Sequence, residues 1–316
     1  MHKFILRRLL MMIPVLLGVV LVTFTLLYIS PGCPARNRLG EQATPEAIIQ
    51  LRAEMGLEDP FIVQFGRYIA GVVTLDFGNS FRTDQPFFDE ILIRFPTTLH
   101  LAGMAVVLSL LIGIPLGIIS AMKQYSWADA GATFLGLLFV SIPNFWLGMI
   151  LLLIFAVELG VLPSLGWSAG VGTEFSNWHH WILPTITIGA SAAAIIMRMT
   201  RSSMLEVVRQ DYIRTARAKG QTPFKIIFKH SLKNALIPVT TVAGLQFGFL
   251  LGGAILTETI FSINGVGRFM MQAILNRDSP VVLGVALLLA FTFSIVNLLV
   301  DILYAFIDPR IRSQYR

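Results

Sequence analysis

The sequence predicts an all-α membrane protein with six transmembrane helices and both termini in the cytoplasm. Only 13% of its 316 residues are charged and 55% are hydrophobic, whereas a soluble domain carries about 25% charged residues. The apolar residues gather in runs of about 20 or more, the length that crosses a bilayer as a helix. Lysine and arginine gather on one set of connecting segments, which the positive-inside rule assigns to the cytoplasm.

The apolar runs define the six predicted spans, at about 9–30, 97–122, 127–157, 182–199, 236–259 and 281–306. The first run is too long for the apolar part of a signal peptide, and no small-residue cleavage site follows it, so we expect it to be retained. In the third span, Pro143 predicts a kink, and Ser141 and Asn144 are suited to satisfy the freed backbone groups. The fourth and fifth spans are rich in glycine and alanine, which permit close helix packing.

The charges of the connecting segments support this topology. Sixteen of the 24 lysine and arginine residues fall on the segments predicted to be cytoplasmic. The predicted outer segment 35–95 has six basic and nine acidic residues, a net charge of −3. It predicts a helix over 45–55 with Thr44 as its cap, a second over 61–74, and a turn or short strand at 75–81. This segment is too small for an independent catalytic domain and large enough to dock a partner.

These assignments divide the chain into three parts. Residues 1–30 hold the cytoplasmic N-terminus and the first span, residues 31–95 form an extracytoplasmic cap segment, and residues 96–316 form a five-helix core. Tryptophans 167, 178 and 181 of the outer loop 158–181 predict an interfacial aromatic belt. The neighbouring His179 and His180 are expected to lie at that interface, and we favour this over metal ligation.

The longest polar stretch in the second half of the chain covers residues 198–238, with nine basic residues, two acids and a net charge of +7. Its periodicity predicts a helix over 203–219, ended by Gly220 in a left-handed conformation. A second helix starts with Thr222 as its cap and Pro223 at its first position.

The second helix of this stretch is amphipathic. Its apolar side carries Phe224, Ile227, Phe228 and Leu232, lysines 225, 229 and 233 run down the other side, and Pro238 marks its exit into the fifth span. Charge and periodicity leave two interpretations open. The stretch either lies on an anionic membrane surface or docks a soluble partner.

The strings DYIRTARAKG (211–220) and KHSLKNALIP (229–238) resemble the EAA loop of bacterial ABC importer permeases, in the longer form of the peptide and nickel branch. In the general form an acid and two small residues precede the glycine, and Arg214 departs from that form here. The resemblance implies that a loop over 203–238 seats in a cleft of a cytoplasmic ATPase subunit. It assigns to this coupling loop Glu206, Asp211, Tyr212, Arg214, Ala216, Ala218, Lys219, Gly220, Phe224, Phe228, His230, Asn234 and Pro238.

The wider chain is similar to the B-type subunits of dipeptide and oligopeptide permeases. The shared strings include MGLEDPF, LDFGNSF, MTRSSMLEV, GLQFGFLLGGAILTETIFS and NLLVDILYAFIDPRIR. The resemblance implies a type I ABC importer permease fold in the bacterial cytoplasmic (inner) membrane, within the lipid bilayer. It implies four kinds of partner or substrate: a second homologous permease subunit, two cytoplasmic ATPase subunits that bind the ATP and Mg, an extracytoplasmic solute-binding protein, and di- or oligopeptides as solute. Nickel chelates and glutathione remain open as solutes.

Other classes of function find little support. There is no Walker A loop, no H-E-x-x-H and no G-x-S-x-G, so we expect no enzymatic activity, no catalytic residue, no cofactor and no metal on this chain. The basic residues flank apolar spans rather than stacking aromatics, so no nucleic-acid partner is expected. A stand-alone channel or secondary transporter is the alternative from another class, and it would predict inverted repeats and paired intramembrane charges. Candidate residues for a translocation path are Ser141, Asn144, Gln246 and Glu258.

Overall fold

The structure, a computed structural model, describes residues 2–40, 43–164 and 178–307 as a series of helices joined by turns. The only β-bridge in these ranges is an isolated one between Asn79 and Pro86. The helices are α1 (His2–Ile29), α2 (Pro34–Leu39), α3 (Pro45–Glu54), α4 (Phe61–Thr74), α5 (Phe88–Met122), α6 (Trp127–Ser141), α7 (Asn144–Leu151), α8 (His179–Val208), α9 (Asp211–Ala218), α10 (Pro223–Lys225), α11 (Leu232–Ile260), α12 (Val266–Leu275) and α13 (Ser279–Ile307). Two π-helical segments, Leu152–Glu158 and Ile226–Ser231, extend α7 and join α10 to α11.

The helices confirm the predicted all-α membrane class. Five of them are long and apolar enough to cross a membrane. The pair α6 and α7 makes a sixth span if it is counted as one, and its two halves meet at a bend of 101°. The kink predicted at Pro143 is therefore confirmed. At 101° it is a break between two helices and not a gentle bend within one helix. The count of six spans and the side of the termini stay predictions. Trp167 and the basic tail after residue 307 lie outside the described residues.

Some predicted boundaries are confirmed and others were wrong. Helix α3 begins at Pro45 with Thr44 accepting a hydrogen bond from the Ala47 N–H (3.3 Å), and α4 spans the predicted 61–74. Helix α5 begins at Phe88, nine residues before the predicted start of the second span. Its extra turns bury Ile91 in an apolar core, and two acids in its first turn complement the helix dipole. Helix α8 also extends past the predicted 182–199 at both ends.

Two short helices were not predicted. Helix α2 starts at Pro34. Proline suits the first position of a helix, because its missing N–H would have no partner there. Helix α12 lies in the predicted outer loop 260–279 and begins after Gly265. With ten residues it is too short to cross a bilayer.

The chain forms two compact units, each with its own core. The first contains Leu99–Ile263 and the part of the chain from Ile295 onward. In it α8 packs against α6, α7 and α11. Two glycines of α5 permit close approach to α8: a Cβ on Gly113 would lie 2.7 Å from the Ala193 carbonyl oxygen, and one on Gly117 would lie 2.7 Å from that of Met197. On α8 itself, a Cβ on Gly189 would lie 3.2 Å from the Ala105 carbonyl oxygen of α5, which agrees with the close packing predicted for the fourth span.

The second unit contains His2–Thr98 and Asn264–Ser294. Its core consists of buried apolar side chains from the start of α5, from α12 and from the start of α13, namely Phe87, Ile91, Val266, Ala273, Val281, Val282 and Val285. Asp278 is buried and binds the turn after α4, accepting hydrogen bonds from the Ser80 hydroxyl and from the Phe81 N–H (2.9 Å). The 31–95 segment is thus tied to α12 and α13 by buried contacts. The division of the chain at residues 30 and 95 stays a prediction.

Candidate functional site

In the first half of the basic stretch, the end of α8 and the separate helix α9 replace the predicted single helix over 203–219. Helix α8 continues to Val208, the chain turns at Arg209 and Gln210, and the separate α9 begins at Asp211. The continuation of α8 has a packing cause, since Met204 is fully buried against Ile118, Ala121 and Ala235. Residues 203–208 therefore belong to α8. The basic stretch forms an elbow whose first arm is α9, whose bend is at Gly220 and whose second arm is the helix that begins at Pro223.

Gly220 has the left-handed conformation that the sequence predicts, with φ +72°. It follows the C-cap Lys219 in a Schellman motif. The Gly220 N–H donates to the Arg217 carbonyl (2.9 Å) and the Gln221 N–H donates to the Ala216 carbonyl (3.2 Å). A Cβ on Gly220 would meet nothing within 4 Å, so only the backbone conformation restricts this position.

The second arm is continuous with the fifth predicted span, and the expected break at Pro238 is wrong. Helical backbone runs from Pro223 to Ile260, with Pro238 inside it. Proline is tolerated within membrane helices because neighbouring groups re-satisfy the carbonyl that it frees. Thr222 is at the N-cap but makes no side-chain cap hydrogen bond, so that part of the prediction is also wrong.

The outer surface of the elbow is aromatic and basic. The rings of Phe224 and Phe228 lie 4.5 Å apart, and these residues are 69% and 47% exposed. The basic residues of both arms are exposed. The ion pair between Arg214 and Asp211 (3.6 Å) is exposed too, so it stabilises the elbow little.

The inner side of the elbow is packed. Ile213 and Ala216 of α9 and Ile226 of the second arm are buried. The Asn234 side-chain amide donates to the Tyr212 hydroxyl (2.8 Å) and so braces α9 against α11. Of the remaining predicted loop residues, Glu206, Ala218 and Lys219 are exposed, and His230 and Pro238 are half-buried. Tyr212 and Thr215 of α9 are exposed.

An ion pair that the sequence did not reveal lies next to this stretch. The Arg201 guanidinium donates from Nε and NH2 to the two carboxylate oxygens of Asp129, each at 2.8 Å. The Ser120 hydroxyl (2.5 Å) and the Tyr125 N–H (3.0 Å) complete the shell of the carboxylate. The pair therefore fixes the first turn of α6 to α8 and α5. The string Ser126-x-x-Asp129 could have marked the start of α6 as a capping box, but the partner of Asp129 is 72 residues away.

A cleft of about 480 Å³ opens on α8 beside this ion pair. Its lining includes Glu206, the acid that the resemblance assigns to the coupling loop, and the full set is Arg201, Ser202, Leu205, Glu206, Arg209 and Gln210. The end of α8 thus has an open surface with charges of both signs.

The predicted path residues occupy different surroundings. Asn144 begins α7 and lies beside α11, where a Cβ on Gly253 would be 3.9 Å from its Nδ2. Gln246 and Glu258 are buried on α11, about 18 Å apart along the helix axis. Ser141 is exposed at the end of α6. The structure thus brings Asn144 to the last third of α11, whereas Ser141 is exposed. Within the described ranges, no three His, Cys, Asp or Glu side chains gather in a way that would hold a metal ion.

The sequence matches two family models that together cover nearly the whole chain. Residues 113–313 match the binding-protein-dependent transport system inner membrane component, and residues 1–102 match the N-terminal part of the same membrane component. A dipeptide transport system permease protein of Alkalihalophilus pseudofirmus is 47% identical over 99% of this chain and 100% of its own length. A glutathione transport system permease protein of Salmonella paratyphi A and a putative peptide transport system permease protein of Brucella abortus are each 42% identical over 99% of both chains.

Solved structures have the same fold. A chain of the MetNI methionine ABC transporter, in an inward-facing conformation, superposes with a TM-score of 0.58 at 21% identity, over 71% of this chain and 99% of that chain. An amino acid ABC transporter crystallised with histidines gives a TM-score of 0.51 at 15% identity, over 71% and 95%. The chain therefore belongs to the binding-protein-dependent transport system inner membrane components and is a multi-pass, non-enzymatic permease subunit of an ABC importer, located in the bacterial inner membrane.

Proposed function

We propose that this permease forms half of a translocation path for di- and oligopeptides and that its loop 203–238 receives the partner ATPases. The observation that supports a peptide solute is the 47% identity to a dipeptide permease, which extends over the whole length of both chains. Members of the family depend on a solute-binding protein. In our proposal that protein delivers the solute to the segment 31–95.

The length of the second arm favours a soluble partner over a membrane surface. Its continuous helix, Pro223–Ile260, has 38 residues and is about 57 Å long, whereas the hydrocarbon core of a bilayer is about 30 Å thick. Phe224 lies 12 residues before Leu236, the start of the apolar span, or about 18 Å along the axis. That distance exceeds the thickness of a headgroup layer, so Phe224 extends into water unless the helix tilts strongly.

The elbow surface has the composition of a docking site. Two adjacent, largely exposed phenylalanines form its apolar centre, and lysines 225, 229 and 233 border them. Exposed aromatic residues surrounded by polar groups are typical of binding hot spots. The complementary surface is a cleft with an apolar floor and an acidic rim on an ATPase subunit. The ATPase subunits also bind the ATP and Mg.

The helices on both sides of the elbow make it suitable as a lever. The second arm is helical throughout to Ile260, and the Asn234–Tyr212 hydrogen bond braces α9 to it. Closure of two ATPases would thus move α9 and α11 together. Around α11, Asn144, Gln246 and Glu258 would line the path, which a second homologous permease subunit completes.

Uptake by the transporter, reconstituted with its cognate binding protein, tests the solute. We expect a labelled dipeptide to accumulate, and unlabelled dipeptide to compete better than glutathione or a nickel–histidine chelate. Stronger competition by glutathione would favour the alternative that the Salmonella relative represents. Uptake by this chain alone, without ATPases or ATP, would instead favour a stand-alone channel or secondary transporter.

A further inference from the structure

Helix α4 has three distinct faces, and its own chain covers two of them. At 3.6 residues per turn, Ile62, Gly66, Ile69 and Val73 fall within about 60° of one another around the helix axis. Most of this stripe is open, and Ile69 is half-buried. Ile62 and Val73 are 79% and 78% exposed, and a Cβ on Gly66 would meet nothing within 4 Å. An exposed apolar stripe of this kind marks a contact with lipid or with another protein.

The first covered face packs against α1. Phe24 of α1 makes edge-on contacts with the rings of Phe61 (5.3 Å) and Phe65 (5.4 Å) of α4. Tyr28 also meets Phe61 edge-on at 5.2 Å. Such aromatic pairs stabilise beyond the area that they bury, so α4 is held at the level of Phe24 and Tyr28 on α1.

The second covered face is polar and lies opposite the open stripe. Gln64 donates from Nε2 to the carbonyl oxygens of Asp59 (2.7 Å) and Leu57 (3.2 Å). Arg67 pairs with the Asp59 carboxylate at 2.5 Å. The segment before α4 therefore folds over its polar side, and α1 lies about a quarter turn away from both this side and the open stripe.

The level of this contact on α1 coincides with the edge of the bilayer. Helix α1 is a candidate membrane span with few buried residues. Its apolar run begins at Leu9, so Phe24 lies about 22 Å and Ile29 about 30 Å along the axis, close to the thickness of the hydrocarbon core. The exposed apolar residues Val22, Leu26 and Ile29 of α1 make its outer end a lipid-facing surface.

We propose that α4 lies flat in the membrane interface, with the stripe formed by Ile62, Gly66, Ile69 and Val73 buried among lipid acyl chains. The contact with Phe24 and Tyr28 places the open stripe at the level of the bilayer edge, and the polar face, with the segment that folds over it, lies towards water. A helix with one strongly apolar and one polar face, buried about 5–10 Å into the headgroup boundary, is the usual form of an interfacial anchor. The partner of this surface is thus the lipid leaflet at the end of α1 away from the N-terminus.

Site-specific fluorescence tests the proposal. Because Cys33 is the single cysteine, Cys33→Ser provides a background for Ile62→Cys and Val73→Cys, each labelled with an environment-sensitive NBD dye. Glu54→Cys on the exposed face of α3 is the water control, and Val22→Cys on α1 is the lipid control. The full transporter is reconstituted into phosphatidylethanolamine and phosphatidylglycerol vesicles. These contain phosphatidylcholine with a nitroxide either near its headgroup or near its chain end.

We expect both α4 dyes to be quenched about twofold or more by the shallow nitroxide, less by the deep one, and about fivefold less by aqueous iodide than the Glu54 dye. Iodide quenching equal to that of the Glu54 dye would overturn the proposal, because the stripe would then face water. Protection from both iodide and nitroxides would also overturn it and would indicate that another protein covers the stripe. Stronger quenching by the deep nitroxide would rule out an interfacial position.

Discussion

Breaking the Asp129–Arg201 ion pair should destabilise the protein by an amount that depends on which partner is removed. The Asp129 side chain is only 7% exposed, whereas that of Arg201 is 28% exposed. Arg201→Gln leaves a buried carboxylate with two donors, the Ser120 hydroxyl and the Tyr125 N–H. Asp129→Asn leaves a guanidinium that can turn towards water. We therefore expect Arg201→Gln to be the more harmful change.

The magnitudes follow from the burial of the two groups. Removing one partner of a buried pair costs about 3–5 kcal/mol, and we assign this range to Arg201→Gln. For Asp129→Asn we expect about 2 kcal/mol, since the remaining cation is partly solvated. The double variant removes both charges and should be less destabilised than Arg201→Gln alone, with a coupling energy of about 3 kcal/mol, which exceeds the cost of Asp129→Asn.

Thermal unfolding of the purified chain in detergent, followed by tryptophan fluorescence at one scan rate, measures these differences. At about 2 °C per kcal/mol, the transition should fall by about 6–10 °C for Arg201→Gln and about 4 °C for Asp129→Asn. The double variant should fall between wild type and Arg201→Gln. The reasoning would be refuted if the two single changes had equal effects and the double variant showed their sum, because the pair would then contribute no coupling.

Two further predictions concern topology and the elbow. In the Cys33→Ser background, a thiol at Asn79 should react with an impermeant reagent in intact cells, and one at Gln221 only after permeabilisation. Labelling at Gln221 in intact cells would contradict the assigned sides. Gly220→Val should weaken ATPase capture by about fivefold or more, since a β-branched residue at φ +72° costs about 1–2 kcal/mol. Gly220→Asn, which tolerates this conformation, should stay near wild type in the same co-purification, and equal losses would contradict the backbone explanation.

Local signals in the sequence predicted much of the fold. Thr44 and Pro45 marked the start of α3, Pro143 marked the break between α6 and α7, and Gly220 marked the end of α9. Each of these residues acts through its own backbone or its nearest neighbours, so the information is present in a short window. The EAA-like strings predict the coupling loop from a similarly short window.

Features that depend on distant packing were missed or wrong. Helix α8 continues past the predicted end because Met204 is buried among residues of α5 and α11. The helix continues through Pro238, although a proline usually ends a helix in water. The Asp129–Arg201 pair joins residues 72 positions apart. No periodic pattern in one sequence reveals these contacts.

The central claim is that the elbow couples ATP hydrolysis to transport through Phe224 and Phe228. A phenylalanine buries about 150–250 Å², so the exposed parts of the two side chains, 69% and 47%, leave roughly 230 Å² for a partner. Burying that area contributes up to about 6 kcal/mol at 25 cal/mol per Å². Trp127→Ala is a matched control, because Trp127 is a more exposed aromatic residue outside the loop.

The most direct measurement records peptide uptake and ATP hydrolysis together in proteoliposomes that contain the assembled transporter. We predict that Phe224→Ala/Phe228→Ala abolishes uptake, either because hydrolysis no longer drives it or because the ATPases are lost, while Trp127→Ala keeps both rates. If the double variant leaves uptake, hydrolysis and their ratio unchanged, the loop is not the coupling element and the membrane-surface interpretation of residues 198–238 is the better one.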